Sequence, residues 1–262
     1  MSGVREVVVR ADGRAWGALL GLPAEARAGG RGAPVVCVAH GFAQTADRYL
    51  SLIESLAGRG YVVVAPHASA HLLPSHSRYA RQLRDSLLWA CRTQPVADPS
   101  ACALVGHSLG GGAAVLAAGL LAGSSRPRGS GVRLRAVVGL APARTRPSSV
   151  AVAASGSLGA LPGLVVVGSQ DRIVPPSVSR ALYDAWPGPR IFAEVAGGYH
   201  CGFVDSSSFG GFGCDSGDLP RAEQLAVVSS LVGDYLDSGL RGGPALVARP
   251  GVRLEVAGAS RA

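Results

Sequence analysis

The stretch that decides the fold is ACALVGHSLG, residues 101–110. Its apolar first half predicts a buried strand, and a helical pattern of small residues follows over 109–122. Ser108 therefore lies in a G-x-S-x-G pattern on the turn between a strand and a helix. Such a tight turn strains the backbone and tolerates only small neighbours, here Gly106 and Gly110. This setting predicts that Ser108 is a nucleophile.

A serine nucleophile needs a histidine base to take its proton. His200 is the one histidine downstream of Ser108, and it follows the predicted strand 190–195 through a short Gly-rich loop. On a strand-turn-helix scaffold of this kind the expected chain order is nucleophile, acid, histidine. We therefore predict that His200 is the general base.

The acid that orients the histidine is predicted to be Asp171, just beyond the predicted strand 161–168. No acidic residue occurs between Leu109 and Leu161, so an acid after the preceding strand is excluded. Asp205 is too close to the histidine in sequence for easy geometry. Glu194 lies inside a predicted strand.

Two backbone N–H groups are expected to stabilise the oxyanion that forms during attack. One belongs to Leu109, directly after the nucleophile, and the other to Phe42, in the loop after the predicted strand 34–40. His40 ends that strand and is interpreted as a structural residue. Tyr199 adjoins the predicted base, and we expect it to bind substrate.

The rest of the chain alternates between apolar β-branched runs and amphipathic helical patterns. This alternation predicts an α/β fold with a mostly parallel sheet and helices on both faces. We expect one domain over 1–262 with its core at about 32–240, a tail of uncertain structure at 243–262, and little or no lid at 141–160. The predicted strands are 4–10, 16–22, 34–40, 61–66, 101–106, 134–140, 161–168 and 190–195, and the first two form an antiparallel hairpin. The predicted helices are 45–60, 78–93, 109–122, 176–186 and 220–239, with a short helix or loop at 147–157.

These motifs, in this order, resemble the α/β-hydrolase superfamily from about Gly32 to Leu240. The plan looks most like the chlorophyllase, dienelactone-hydrolase and cutinase-like polyester-hydrolase branches. The resemblance rests on His40-Gly41-Phe42, on Gly106-His107-Ser108-Leu109-Gly110-Gly111, on the segment from Gly168 through Asp171 to Pro175, and on His200.

This resemblance implies a serine esterase that cleaves a small-molecule or lipid-like carboxylic ester through an acyl-enzyme, without a metal or other cofactor. The same three residues would also serve an amidase, a peptidase or a thioesterase. A non-catalytic binding protein on this scaffold is a further alternative, which the complete set of residues disfavours.

Composition narrows the class of protein. The 262 residues are 48% hydrophobic and 16% charged, which suits a globular domain with a large core. The formal net charge of +8 comes from arginines without a single lysine, and these arginines are scattered. No nucleic-acid motif appears, so we expect no nucleic-acid partner. No apolar run predicts a membrane-spanning helix, and the oligomeric state is left open.

The five cysteines include two pairs that are close in sequence, Cys91 with Cys102 and Cys201 with Cys214. We hypothesise a Cys201–Cys214 disulfide that tethers the Gly/Ser-rich loop carrying the histidine; unpaired thiols are the alternative. Met1 to Arg14 has no apolar signal-peptide core, which favours a cytoplasmic protein. A secreted protein is expected instead if a leader was removed and the cysteines pair.

Overall fold

The computed structural model of the protein describes residues 3–24, 32–67, 75–122, 131–144, 150–206 and 214–258. Strands and helices alternate along the chain, as the sequence predicts. The strands are β1 (Gly3–Ala11), β2 (Arg14–Leu22), β3 (Ala33–Ala39), β4 (Val62–Pro66), β5 (Ala97–His107), β6 (Leu134–Leu140), β7 (Gly163–Gly168), β8 (Arg190–Val195) and β9 (Val252–Ala257). The α-helices are α1 (Leu50–Gly58), α2 (His76–Thr93), α3 (Leu109–Ala122), α4 (Val150–Gly156), α5 (Pro176–Ala185) and α6 (Arg221–Arg241), and 3₁₀ turns lie at Ala46–Tyr49 and His200–Phe203.

The described strands form one mixed sheet in the order β1-β2-β4-β3-β5-β6-β7-β8-β9. The centre, from β4 to β8, is parallel, and the pairs β1/β2, β2/β4 and β8/β9 are antiparallel. This is the α/β-hydrolase architecture that the sequence predicts, including the first hairpin.

Both faces of the sheet are apolar because the central strands are continuous hydrophobic runs. In β3, Val36 and Val38 pack on the face covered by α1 and α6, whereas Val35 and Cys37 pack on the face covered by α2 and α3. Strands buried on both faces are typical of a parallel sheet between two helical layers. Among the described helices, none is both long and apolar enough to cross a lipid bilayer.

The tail holds a strand that the sequence analysis left open. β9 pairs with β8 at the edge of the sheet, and its Val252, Leu254 and Val256 alternate with polar residues. The period of two was present in the sequence, but a half-exposed edge strand lacks the long apolar run that marks the central strands. The lid prediction concerns 141–160, of which 145–149 lie outside the described residues.

Four loops meet at the carboxyl edge of the parallel strands. Phe42 follows β3, Ser108 follows β5, Asp171 follows β7 and His200 follows β8. In open α/β sheets, sites form where such loops converge.

Candidate active site

The turn at Ser108 has the strained geometry expected of it. Ser108 has φ of 54°, in the left-handed region that non-glycine residues rarely adopt. A Cβ atom on Gly106 would collide with the backbone of Gly110, and a Cβ atom on Gly110 would collide with the backbone carbonyls of Ala39 and His40. The two glycines are therefore required for the turn to close against β3.

The predicted acid and base are in contact. Nδ1 of His200 lies 2.8 Å from Oδ2 of Asp171, and the two side chains are 7% and 0% exposed. Oδ1 of Asp171 accepts hydrogen bonds from the N–H of Ile173 at 3.0 Å and of Val174 at 2.7 Å. The carboxylate is thus held in the turn after β7, with one oxygen left for the imidazole.

The histidine loop packs directly on the turn that carries Ser108. The ring of His107, the neighbour of the serine, lies 4.5 Å from the ring of His200 and 5.3 Å from that of Phe203, between centroids. Burial, followed by the nearby rings of His200 and His40, holds the pKa of His107 well below its usual range. His107 is therefore neutral and serves as packing between the two loops.

Two buried tyrosines hold the backbone of the loop that contains Phe42. The hydroxyl of Tyr79 accepts the N–H of His40 at 2.8 Å, and the hydroxyl of Tyr49 accepts the N–H of Gly41 at 2.9 Å. The Tyr49 hydroxyl also lies 2.7 Å from Nδ1 of His107, to which it donates if that nitrogen is unprotonated. The loop is therefore connected by hydrogen bonds to the residue before Ser108.

This loop lies against the serine. A Cβ atom added at Gly41, the residue before Phe42, would sit 3.4 Å from Cβ of Ser108. The other predicted donor, the N–H of Leu109, is the first of α3, where N–H groups have no carbonyl partner inside the helix. The side chain of Phe42 is 57% exposed.

His40 is structural, as interpreted from the sequence. It is 5% exposed, and its Nδ1 lies 2.8 Å from the carbonyl oxygen of Gly41. Burial lowers its pKa to about 4, so it is neutral at physiological pH.

Cys201 and Cys214 form a disulfide, in line with the hypothesis from the sequence. The bond attaches the residue after His200 to the far end of its loop, although 207–213 lie outside the described residues. Cys91 and Cys102 form no disulfide; their thiols are in hydrogen-bond contact, with the sulfur atoms 3.7 Å apart.

The sequence analysis missed one residue of this site, Asp215. Asp215 accepts the N–H of Arg172 at 3.1 Å, of His200 at 3.0 Å and of Cys201 at 2.9 Å. Its position beside Cys214 was the only sequence signal, and it does not indicate these partners.

Asp205 and Tyr199 were also considered in the sequence analysis. Asp205, which was rejected as the acid, accepts a hydrogen bond from the N–H of Ser51 at 3.0 Å near the start of α1. Tyr199 is 7% exposed and packs in the core, with its backbone bonded to the buried side chain of Gln224. This position gives no support to the substrate-binding role, which stays a prediction.

In the described ranges, no group of three or more His, Cys, Asp or Glu side chains is arranged to hold a metal ion.

The sheet order and the strained serine turn are those of the α/β-hydrolase fold. Residues 23–152, just under half of the chain, match the sequence model of the chlorophyllase family, which is part of the α/β-hydrolase superfamily. The match supports hydrolysis of ester bonds as the general activity. It includes the Phe42 loop and Ser108 but ends before Asp171 and His200. No curated protein is similar enough in sequence to match the chain.

Proposed function

We propose that the protein is a serine esterase in which Ser108 attacks the ester carbonyl, His200 acts as general base and Asp171 orients the histidine. The observation that carries the proposal is the 2.8 Å hydrogen bond between His200 and Asp171, with the His200 ring packed on His107, the residue before the serine. A histidine held in this way by a buried carboxylate is the arrangement that activates a serine.

The chemistry follows from this arrangement. Asp171 accepts a hydrogen bond from the Nδ1–H of His200 and keeps the proton on that nitrogen, which leaves the lone pair of Nε2 to take the proton of the Ser108 hydroxyl. The alkoxide that develops on the serine attacks the carbonyl carbon, and His200 then returns the proton to the departing alcohol. Water, deprotonated by the same nitrogen, hydrolyses the acyl-enzyme and regenerates the serine.

The negative charge on the carbonyl oxygen needs fixed donors, which we assign to the N–H groups of Phe42 and Leu109. The bonds from His40 and Gly41 to two buried tyrosines support this role, since they fix the backbone just before Phe42. Donors that are already in place require no reorganisation during the reaction and therefore lower its barrier.

Apolar surface beside these groups favours an apolar small-molecule or lipid-like ester. Phe42 and Ile173 are 57% and 45% exposed. Phe42 itself carries a predicted oxyanion donor, and Ile173 lies two residues after the predicted acid, so an apolar acyl or alcohol group would cover both side chains when substrate binds.

The test is to assay Ser108→Ala with 4-nitrophenyl esters of graded acyl length and to label wild type with a fluorophosphonate probe. Loss of the nucleophile is expected to reduce kcat by about a millionfold and to abolish labelling. The control is Ser157→Ala, which removes an exposed hydroxyl bonded to the carbonyl of Ala154 and should behave like wild type.

Near-normal ester hydrolysis by Ser108→Ala would overturn the proposal. A matched anilide and thioester are included in the panel. If either is cleaved better than the ester, the reaction is that of an amidase or thioesterase and the ester assignment is wrong.

A further inference from the structure

We propose that Asp215 is a positioning residue that holds the backbone on both sides of the Asp171–His200 hydrogen bond. The inference rests on the proposed function and adds a residue to it. Asp215 does not touch the reacting atoms; it acts on the two loops that carry the acid and the base.

The carboxylate of Asp215 divides its bonds between those loops. Its Oδ2 accepts the N–H of Arg172, the residue after Asp171, and the N–H of His200 itself. Its Oδ1 accepts the N–H of Cys201. One side chain therefore connects the turn after β7 to the turn after β8 at the point where their functional residues meet.

The segment that carries Asp215 is itself attached on both sides of the carboxylate. Cys214, the preceding residue, is bonded to Cys201. The carbonyl of Ser216, the following residue, accepts a hydrogen bond from the Arg172 guanidinium at 3.2 Å. These attachments fix the carboxylate, so that it can in turn fix the backbone of the histidine.

Position matters here because proton transfer from a serine to a histidine depends on sub-ångström geometry. A catalytic group must be held within about half an ångström of its working position, and a displacement of about 1 Å can cost about a hundredfold in rate. Upstream, Gln170 and Gly198 also link the two loops through a 2.8 Å backbone hydrogen bond. Asp215 adds a second link, between the residue after Asp171 and His200 itself.

The chemistry of the side chain makes the proposal testable. A carboxylate can accept on both oxygens, whereas the amide of Asp215→Asn has one accepting oxygen and an NH₂ group that donates. The variant must therefore lose the hydrogen bonds made by one of the two carboxylate oxygens. The NH₂ group that takes the place of that oxygen then faces a backbone N–H, so that two donors meet. We expect kcat to fall about tenfold to a hundredfold, with KM changed by less than about threefold.

The matched control is Asp218→Asn. It removes the same charge from the same segment, but Asp218 bonds the side chain of Gln170 and not the backbone of the acid or the base. This variant is expected to keep wild-type kcat.

A spectroscopic readout separates positioning from stability. The proton shared by His200 and Asp171 should give a strongly downfield signal in proton NMR. In Asp215→Asn that signal should shift or broaden, whereas in Asp218→Asn it should not. The fraction of folded enzyme is counted by fluorophosphonate labelling of Ser108, and the Cys201–Cys214 bond is checked by mass spectrometry. Asp215→Ala is measured in the same way as a second variant.

Three results would be decisive. A fall in kcat per labelled site together with the altered NMR signal supports the inference. Wild-type kcat per labelled site in both Asp215 variants overturns it, even where those variants are less stable. If Ser108→Ala keeps full activity, the proposed function fails instead, and the two failures are thus told apart.

Discussion

His200 and Asp171 are joined by a single 2.8 Å hydrogen bond, while the second carboxylate oxygen of Asp171 is occupied by the N–H groups of Ile173 and Val174. This division of bonds predicts the result of Asp171→Asn. The amide oxygen must stay on the two N–H groups, so the NH₂ group faces His200 and forces Nδ1 to accept. The proton then resides on Nε2, which can no longer accept from Ser108.

We therefore expect Asp171→Asn to lower kcat by about four orders of magnitude without a change in fold. The measurement is ester turnover, with the thermal midpoint as a check on folding. The control is Asp205→Asn, since Asp205 is closer to His200 in sequence but bonds Ser51 near the start of α1. A loss under about tenfold in Asp171→Asn, or a larger loss in the control, would contradict the choice of acid.

Tyr49 is predicted to support the oxyanion donors through the N–H of Gly41. Tyr49→Phe removes the hydroxyl and leaves that N–H without its 2.9 Å partner. We expect kcat to fall about tenfold, at unchanged apolar packing, and stability to fall by about 1–3 kcal/mol because a buried donor is left unpaired.

The matched control is Tyr235→Phe. The Tyr235 hydroxyl is buried and has no hydrogen-bond partner among the described residues, so its removal should affect neither kcat nor stability much. Equal kcat in the two tyrosine variants would show that the Gly41 contact does not contribute to catalysis.

The Cys201–Cys214 bond predicts the thiol count. Unfolded, unreduced protein should titrate with three thiols, those of Cys37, Cys91 and Cys102. The bond spans a sequence separation of 13, and a bridge closing such a loop contributes about 3 kcal/mol.

Mild reduction, or Cys214→Ser, should therefore lower the free energy of unfolding by about 3 kcal/mol and reduce activity. Cys91→Ser serves as the control, because Cys91 lies outside the histidine loop and forms no disulfide. A count of five thiols would rule the bridge out.

His40 and His107 make stability depend on pH. Burial lowers the pKa of His40 to about 4 and that of His107 well below its usual range. In the unfolded chain both histidines titrate at about 6.5, so below that pH the unfolded state binds more protons than the folded state. The free energy of unfolding should therefore fall as the pH drops from about 6.5 towards 5, by up to about 1.4 kcal/mol per pH unit for each histidine.

Urea unfolding at several pH values measures this slope. His107→Asn should make it shallower by the contribution of one histidine, provided that the variant folds. A free energy of unfolding that is constant between pH 6.5 and pH 5 would be incompatible with two buried neutral histidines.

Much of this protein was determined by its local sequence. The apolar run before Gly106, the two glycines around Ser108 and the order of Ser108, Asp171 and His200 all follow short-range rules of strands, turns and chain order. For that reason the sheet, its first hairpin and the serine turn could be predicted, and Asp171 is in contact with His200 as expected.

Tertiary structure alone decided what holds these residues in place. Tyr49 and Tyr79 look like ordinary core residues in the sequence, and Asp215 looks like a loop aspartate. Their roles depend on hydrogen bonds to backbone groups in the loops that follow β3, β7 and β8, and no periodicity or motif marks such partners. Because any buried N–H needs an acceptor, the fold selects the nearest side chain that can provide one, and only the packed chain shows which side chain that is.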